Sequence, residues 1–261
     1  MSPRTLVIDI ETSPIEAYVW ALFDQNVGLN QIKTEWSILS YAAKWLDSKK
    51  MIYDDTSGRG KAKVRDDKKL MRGLWDLLDE ADIVVGQNHK KFDLKKINAR
   101  LVEHGLKPPS PYRTVDTTVE ARRYFGFTSK KLEWMSKHLT DTPKDDHKEF
   151  PGFELWTACL ADNPRAWREM KKYNIRDVEA TERVYLRLLP WISTHPNAAV
   201  HIQDKEPRCP KCSSKDLQRR GYALTQQGSY PRWQCNGCGG WARGKTTQLH
   251  HSVRKNLLVG V

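Results

Sequence analysis

The sequence predicts an α/β protein: a mixed five-stranded sheet flanked by helices, followed by a small metal-stapled module. Three observations predict it. The chain opens on an apolar strand, Leu6-Val7-Ile8-Asp9-Ile10-Glu11-Thr12, that carries two acids. Strand-like runs come first and then alternate with amphipathic helices, an order that builds a mixed sheet with helices on both faces. Two Cys-x2-Cys pairs, Cys209/Cys212 and Cys235/Cys238, stand in the last quarter of the chain.

Taken in order, the first strand spans Leu6–Glu11, the second is expected at Tyr18–Phe23 and the third at Ser37–Trp45. A strand-like piece at Lys50–Tyr53 extends the third as a hairpin, and a polar loop follows around Gly58-Arg59-Gly60-Lys61. Asp66 or Asp67 can cap a helix that carries Leu70, Leu74, Leu77 and Leu78. Ile83–Val85 reads as the fourth strand. A helix with Phe92, Leu94, Ile97, Leu101 and Val102 as its apolar positions comes next. Tyr112–Val115 reads as the fifth strand, after the Lys107-Pro108-Pro109 turn. Helices are expected around Thr117–Tyr124 and Lys131–Leu139. Thr117 and Glu120 have capping-box spacing, and Asp116 helps to start that helix rather than bind metal. A charged loop runs from Thr140 to Pro151; its Asp145, Asp146, His147 and Glu149 read as solvated. Cys159, beside Leu155, Trp156 and Leu160, reads as a small core residue. Asn163 and Pro164 start a long helix, by cap and first-turn preference respectively.

Side chains alternate along a strand, so Asp9 and Glu11 share a face. Two adjacent carboxylates repel and cost desolvation energy. Either the strand end emerges into water, or a divalent cation compensates them. Asp93 falls in a first helical turn, where favourable interaction with the helix dipole is the ordinary explanation. In the long helix, Trp167, Met170, Tyr173, Asp177, Thr181, Val184 and Leu188 recur at three- and four-residue steps and form its inward stripe. Tyr173 fits a plain core role. Asp177 on that stripe needs a partner, either a basic side chain or a metal.

In sequence order these residues resemble the three motifs of the DnaQ-like, or DEDD, 3′-to-5′ exonucleases, which have a ribonuclease H-like fold. Asp9-Ile10-Glu11-Thr12 is similar to the first motif, Asn88-His89-Lys90-Lys91-Phe92-Asp93 to the second, and Tyr173-Asn174-Ile175-Arg176-Asp177 to the third in its tyrosine variant. The resemblance covers roughly the first three quarters of the chain. The Trp-rich stretch from Phe153 to Tyr173, with a zinc ribbon after it, most resembles exonucleases carried by bacteriophages. The resemblance implies removal of nucleotides from a 3′ end as 5′-monophosphates by two magnesium or manganese ions. Asp9, Glu11 and Asp177 would bind the first ion; Asp9 would bridge to the second, with Asp93 in support. Tyr173 would orient the attacking water, and Thr12, Asn88 and Phe92 would meet the terminal nucleotide. Plain structural roles for these last three are an equal alternative.

The net charge is +12. From His201 onward there are eleven Lys/Arg against three Asp/Glu, so this tail carries +8 of the total. Such basicity points to a polyanion, nucleic acid before an acidic membrane, with solubility as the plainer account. No apolar stretch approaches membrane-spanning length, and the expected compartment is a reducing cytoplasm, the host's if the chain is phage-encoded.

The four paired cysteines, with 22 residues between the pairs, match a closed tetrahedral zinc site. The spacer reads as a hairpin with Gly228 at its turn and Tyr222 and Trp233 on its arms. The expected domains are therefore an exonuclease domain over 1–195, a linker over 196–206 and a zinc ribbon over 207–250. Arg219, Arg220, Tyr222, Tyr230, Arg232, Trp233, Trp241 and Arg243 interleave cations and rings, a pattern that can hold phosphates and stack on bases. The alternative, slightly preferred from the sequence, is that Trp233 and Trp241 pack the ribbon. DNA is the favoured substrate. Trimming of RNA ends, a non-catalytic adaptor role, and docking of replication or repair proteins through the ribbon are the alternatives.

Overall fold

The computed structural model describes residues 2–141 and 149–259. It divides into two compact units, one spanning Arg4–Tyr185 and the other running from Leu186 onward.

In the first unit, β1 (Thr5–Thr12) leads to a short ribbon of β2 (Glu16–Ala17) and β3 (Ile32–Thr34). β4 (Ile38–Trp45), β5 (Met51–Asp55), α1 (Lys68–Asp79), β6 (Ile83–Gly86), α2 (Asp93–Glu103), β7 (Arg113–Asp116), α3 (Thr117–Tyr124), α4 (Leu132–Leu139) and α5 (Glu154–Leu160) follow, then the long helix α6 (Pro164–Leu188). The five-stranded sheet has the order β5-β4-β1-β6-β7. β5, β4 and β1 are antiparallel neighbours; β1, β6 and β7 run parallel.

The alternation of β1 sorts its residues. Leu6, Ile8 and Ile10 join Tyr41 and Ala43 of β4 in a core that takes Leu70, Leu74 and Leu78 of α1 and Leu94, Ile97 and Leu101 of α2. Asp9 and Glu11 are thereby turned to the opposite face. A second cluster joins Leu39, Val64, Leu155, Cys159, Trp167 and Met170, which places Cys159 in the core as expected.

Tyr18–Phe23 is not a strand. The five-strand count holds, but the fifth member is Met51–Asp55, a full edge strand rather than an extension. Tyr18–Phe23 has the apolar residues of a strand without a partner to cover them, and Trp20 is 96 % exposed. The α3 cap is Asp116, which accepts the Thr118 and Val119 N–H groups, not Thr117; the Thr117 hydroxyl donates to the Gly86 carbonyl. At α1 the Asp66 carboxylate accepts the Lys68 N–H, while Asp67 at the cap position turns inward to Arg100, His104 and the Ile38 N–H. Asn163 caps α6 through the Arg165 N–H. Asp145, Asp146 and His147 lie outside the described residues, and Glu149 pairs with Arg165 at 3.3 Å.

The second unit carries a three-stranded antiparallel sheet of order β10-β9-β8: β8 (Leu217–Thr225), β9 (Gly228–Cys235) and β10 (Trp241–Arg243). β8 and β9 form the expected hairpin, closed where Thr225 pairs with Gly228. The stretch read as a linker holds a one-turn helix, Ala198–His201, whose Ala198 N–H donates to the Pro210 carbonyl. A final short helix, α7 (His251–Lys255), follows the ribbon. No described helix is long and apolar enough to cross a membrane.

Candidate active site

The site is built on the face of β1 that the core leaves to the acids. Opposite them on β4 stand Ala42, paired with Asp9, and Ser40, paired with Glu11. Both are small, so a helix can approach the sheet closely here. That helix is α6. The fully buried Asn174 of α6 accepts the Ser40 hydroxyl at 3.2 Å, and Glu182, eight residues on, pairs with Lys44. Eight helical residues rise about 12 Å and four strand residues about 13 Å, so α6 lies along β4 in register.

This docking delivers Asp177 to the strand acids. Carboxylate oxygens of Asp9, Glu11 and Asp177 all lie within 4.8 Å of one another. Asp177 is buried, and Asp9 and Glu11 are half-buried. Three carboxylates at this spacing repel strongly unless a cation sits among them, and an oxygen-only set suits a hard divalent ion. The donor set therefore fits the metal expected from the sequence.

Asn174 is the residue that sequence reasoning missed. Its Nδ2 donates to Asp9 Oδ2 at 2.6 Å, tying the first acid to the helix that carries the third. The signal was present: Asn174 lies four residues after Met170 and three before Asp177, on the inward stripe. Tyr173, its neighbour, is only half-buried and meets Trp156 edge to face at 6.0 Å.

Asp93 stands apart from the group of three. It opens α2, is buried, and accepts the Ile10 N–H at 3.1 Å. The β1–β6 ladder pairs Thr5, Leu6 and Val7 of β1, so the Asp93 carboxylate serves an amide past its end. This bond fixes the start of α2 beside the acid strand, and burial pushes the Asp93 carboxyl up to about 7.

Asp116, read as a helix starter, has a second task. Fully buried, it also accepts the N–H groups of Asn88 and Lys90 at 3.0 and 3.1 Å, and so holds the turn between β6 and α2. Asn88 sits in that turn with φ of +57°, a conformation asparagine tolerates. The fully buried His89 ring packs on Gly86, and burial holds its imidazole down at about 4. Phe92 is exposed at the head of α2, with the Lys96 ammonium 5.9 Å from its ring and 3.6 Å from that of Trp36. Thr12 ends β1, one residue from Glu11.

A family model described as the RNase_H superfamily matches residues 6–189, well over half of the chain. The chain belongs to the RNase H superfamily. That span covers the sheet from Leu6 onward, the three clustered acids and α6, and nucleases of RNase H-like fold use divalent metals. Membership suggests a metal-dependent nuclease, a hydrolase acting on nucleic acid. No curated protein matches the chain.

The second unit holds a separate metal-type cluster. Sulfurs of Cys209, Cys212, Cys235 and Cys238 lie within 4.8 Å of one another. The Cys209–Cys238 and Cys212–Cys235 Sγ separations are both 3.6 Å. A tetrahedron with Zn–S bonds of about 2.3 Å has edges of about 3.8 Å, so the four thiols fit one zinc ion. The Lys211 and Cys238 N–H groups point at Cys209 and Cys235 Sγ, both at 3.5 Å, as they would to support thiolates.

Proposed function

We propose that this RNase H superfamily member is a metal-dependent 3′-to-5′ exonuclease of the DnaQ-like type, in its tyrosine variant. Its substrate is DNA with a single-stranded or frayed 3′ end, and its products are 5′-monophosphates. The observation that carries the proposal is the Asp9–Glu11–Asp177 group, two acids of one strand met by one acid of a helix. Two magnesium or manganese ions are the cofactors, held by these three acids with Asp93 in support. Such ions, when bound, lower the pKa of water and stabilise the leaving 3′-oxygen.

The protein's own groups do the rest. Asn174 holds Asp9 in place through its 2.6 Å bond. Tyr173, one turn before Asp177 on α6, orients the attacking water with its hydroxyl. Free tyrosine, with a pKa of about 10, is a poor base at neutral pH, so the role proposed for Tyr173 is positioning. Thr12, Asn88 and Phe92 meet the terminal nucleotide. One structural zinc ion holds the ribbon.

The test is digestion of DNA and RNA labelled at the 5′ end, with magnesium or manganese, followed by product mapping. The expected result is stepwise shortening from the 3′ end that a chelator abolishes. Asp9→Ala and Asp177→Ala should each slow turnover by several orders of magnitude with the fold intact, since each removes a ligand and a charge. An Asp9→Ala chain that degrades both substrates as fast as the parent refutes the site; internal cleavage refutes the exonuclease reading.

A further inference from the structure

We infer that one face of the ribbon is a binding site for unpaired nucleic acid, built by Tyr230, Arg232, Trp241 and Arg243 and continued by Lys245 and Arg254. The inference goes beyond the exonuclease proposal and does not depend on it. It begins with charge. After Asp216 the chain carries seven Lys/Arg and no Asp or Glu, so the sheet has no acids of its own to neutralise it.

Register then places the cations. Arg232 of β9 pairs directly with Arg243 of β10, and Gln234 with Trp241. Cross-strand partners share a face, as do alternate residues of one strand, so Tyr230, Arg232, Gln234, Trp241 and Arg243 point the same way. Two like charges directly opposite each other destabilise a sheet. Here each is placed over a ring, Arg232 at 5.0 Å from the Trp241 centroid and Arg243 at 4.4 Å from that of Tyr230. The rings offset part of the repulsion. A polyanion laid across the pair would offset the remainder.

The rings decide which polyanion. Trp241 is 47 % exposed, against the expectation that it packs the ribbon, while Trp233 on the opposite face is half-buried. An exposed ring, Trp241, and a half-buried one, Tyr230, set between guanidinium forks match a strand whose bases are free to stack and whose phosphates follow at each step. An acidic protein segment would use the cations and leave the rings without a task. At the hairpin end of this face, Tyr230 also lines a cleft of about 580 Å³ together with Lys245, Thr246, Thr247 and Arg254. The cleft adds two more cations and the Thr246 hydroxyl, groups that can meet a phosphate, beside apolar Leu257 and Val259; the Thr247 hydroxyl is already given to the Ser229 carbonyl at 3.1 Å.

The experiment measures fluorescence anisotropy of a labelled thymidine 20-mer across a salt series. The protein is the full chain, zinc-loaded, carrying Asp9→Asn and without added divalent metal, so that turnover plays no part. Arg232→Gln with Arg243→Gln should weaken binding and flatten the log–log salt slope by about 1.4, two phosphate contacts at about 0.7 each. Trp241→Ala should weaken binding roughly five- to 150-fold, the range for one stacked base, and leave the slope unchanged. A blunt duplex of the same length should bind more weakly and be indifferent to Trp241→Ala. Zinc content checks each variant; if Trp241→Ala loses zinc, Trp241→Leu removes the ring's π face while keeping an apolar side chain. The inference is overturned if the zinc-loaded arginine variant keeps the parent's affinity and slope, or if neither Trp241 variant weakens single-strand binding. Binding of polyglutamate as tight as the oligonucleotide overturns it in favour of an acidic protein partner.

Discussion

Asn174→Leu isolates what α6 contributes beyond Asp177. Asn174 is fully buried, donates to Asp9 Oδ2 at 2.6 Å and accepts the Ser40 hydroxyl at 3.2 Å. Leucine has nearly the same shape and neither polar atom. The lost bond to a charged acceptor is worth about 1.5–3 kcal/mol, or roughly 10- to 150-fold at about 1.4 kcal/mol per decade. Groups that orient metal ligands change metal affinity or activity by about 10- to 100-fold when removed, which agrees. Turnover measured across a manganese series should therefore show half-saturation displaced to 10- to 100-fold higher metal. Turnover at saturating metal should fall less than in Asp9→Ala, because the ligand itself remains. Ser40→Ala removes only the neutral half of the network and should cost about 1 kcal/mol of stability with little change in metal dependence. Asn174→Leu with the parent's half-saturation would show that Asp9 needs no such tether. A loss of thermal stability alone would reduce Asn174 to a packing residue.

Other perturbations read other parts of the structure. Tyr173→Phe should slow turnover roughly ten- to a thousandfold while leaving KM near the parent's, as for groups that position water or move protons; equal kcat would remove Tyr173 from the mechanism. Gly86→Ala would place a Cβ 2.4 Å from His89 Nδ1, so the ring must move, and chemical denaturation should show a loss of about 1–3 kcal/mol. His89 has a pKa of about 4 when folded against 6.5 when exposed, so the folded chain binds fewer protons than the unfolded one between those values. The contribution of His89 is then lost as pH falls from 6.5 toward 4, by up to roughly 3 kcal/mol, while the raised Asp93 carboxyl acts in the opposite sense; the stability of His89→Leu relative to the parent should therefore rise as pH falls over that range. Cys235→Ser should lower the zinc content proposed for the ribbon, one ion per chain, and expose the ribbon to proteolysis, since so small a module would take its folding energy from that metal.

The acids were legible because each sits where a periodicity puts it. The two-residue repeat of β1 places Asp9 and Glu11 opposite Leu6, Ile8 and Ile10, and the three- and four-residue steps of α6 place Asp177 inward. The four cysteines were legible by spacing alone, and the structure brings their sulfurs together. Tyr18–Phe23 misled because apolar composition records a tendency to be buried, whereas a strand also needs a neighbour. That neighbour is chosen by long-range pairing, and Met51–Asp55 found one in β4 where Tyr18–Phe23 did not. Asp116 was only half legible for a related reason. Its bonds to Thr118 and Val119 are local, and sequence shows them as a cap; those to Asn88 and Lys90 cross 28 and 26 residues of chain.

The same distinction explains how three distant segments arrive at one place. Small Ser40 and Ala42 make room above the acids, Asn174 reaches Ser40, and the Lys44–Glu182 pair lies two repeats further along the strand and about two turns along the helix. Slipping α6 by a single residue would turn Asn174 and Asp177 by about 100° and break both contacts with β4. The neutral and ionic contacts along β4 thus fix the rotation and height of α6, and with them the position of Asp177. Asp93 and Asp116 perform the corresponding service for the start of α2, through backbone amides rather than side chains. The acids are the part of the proposed site that is visible in the sequence. Their spacing is the work of Ser40, Ala42, Lys44, Asn174 and Glu182, ordinary residues whose importance depends on which element they meet.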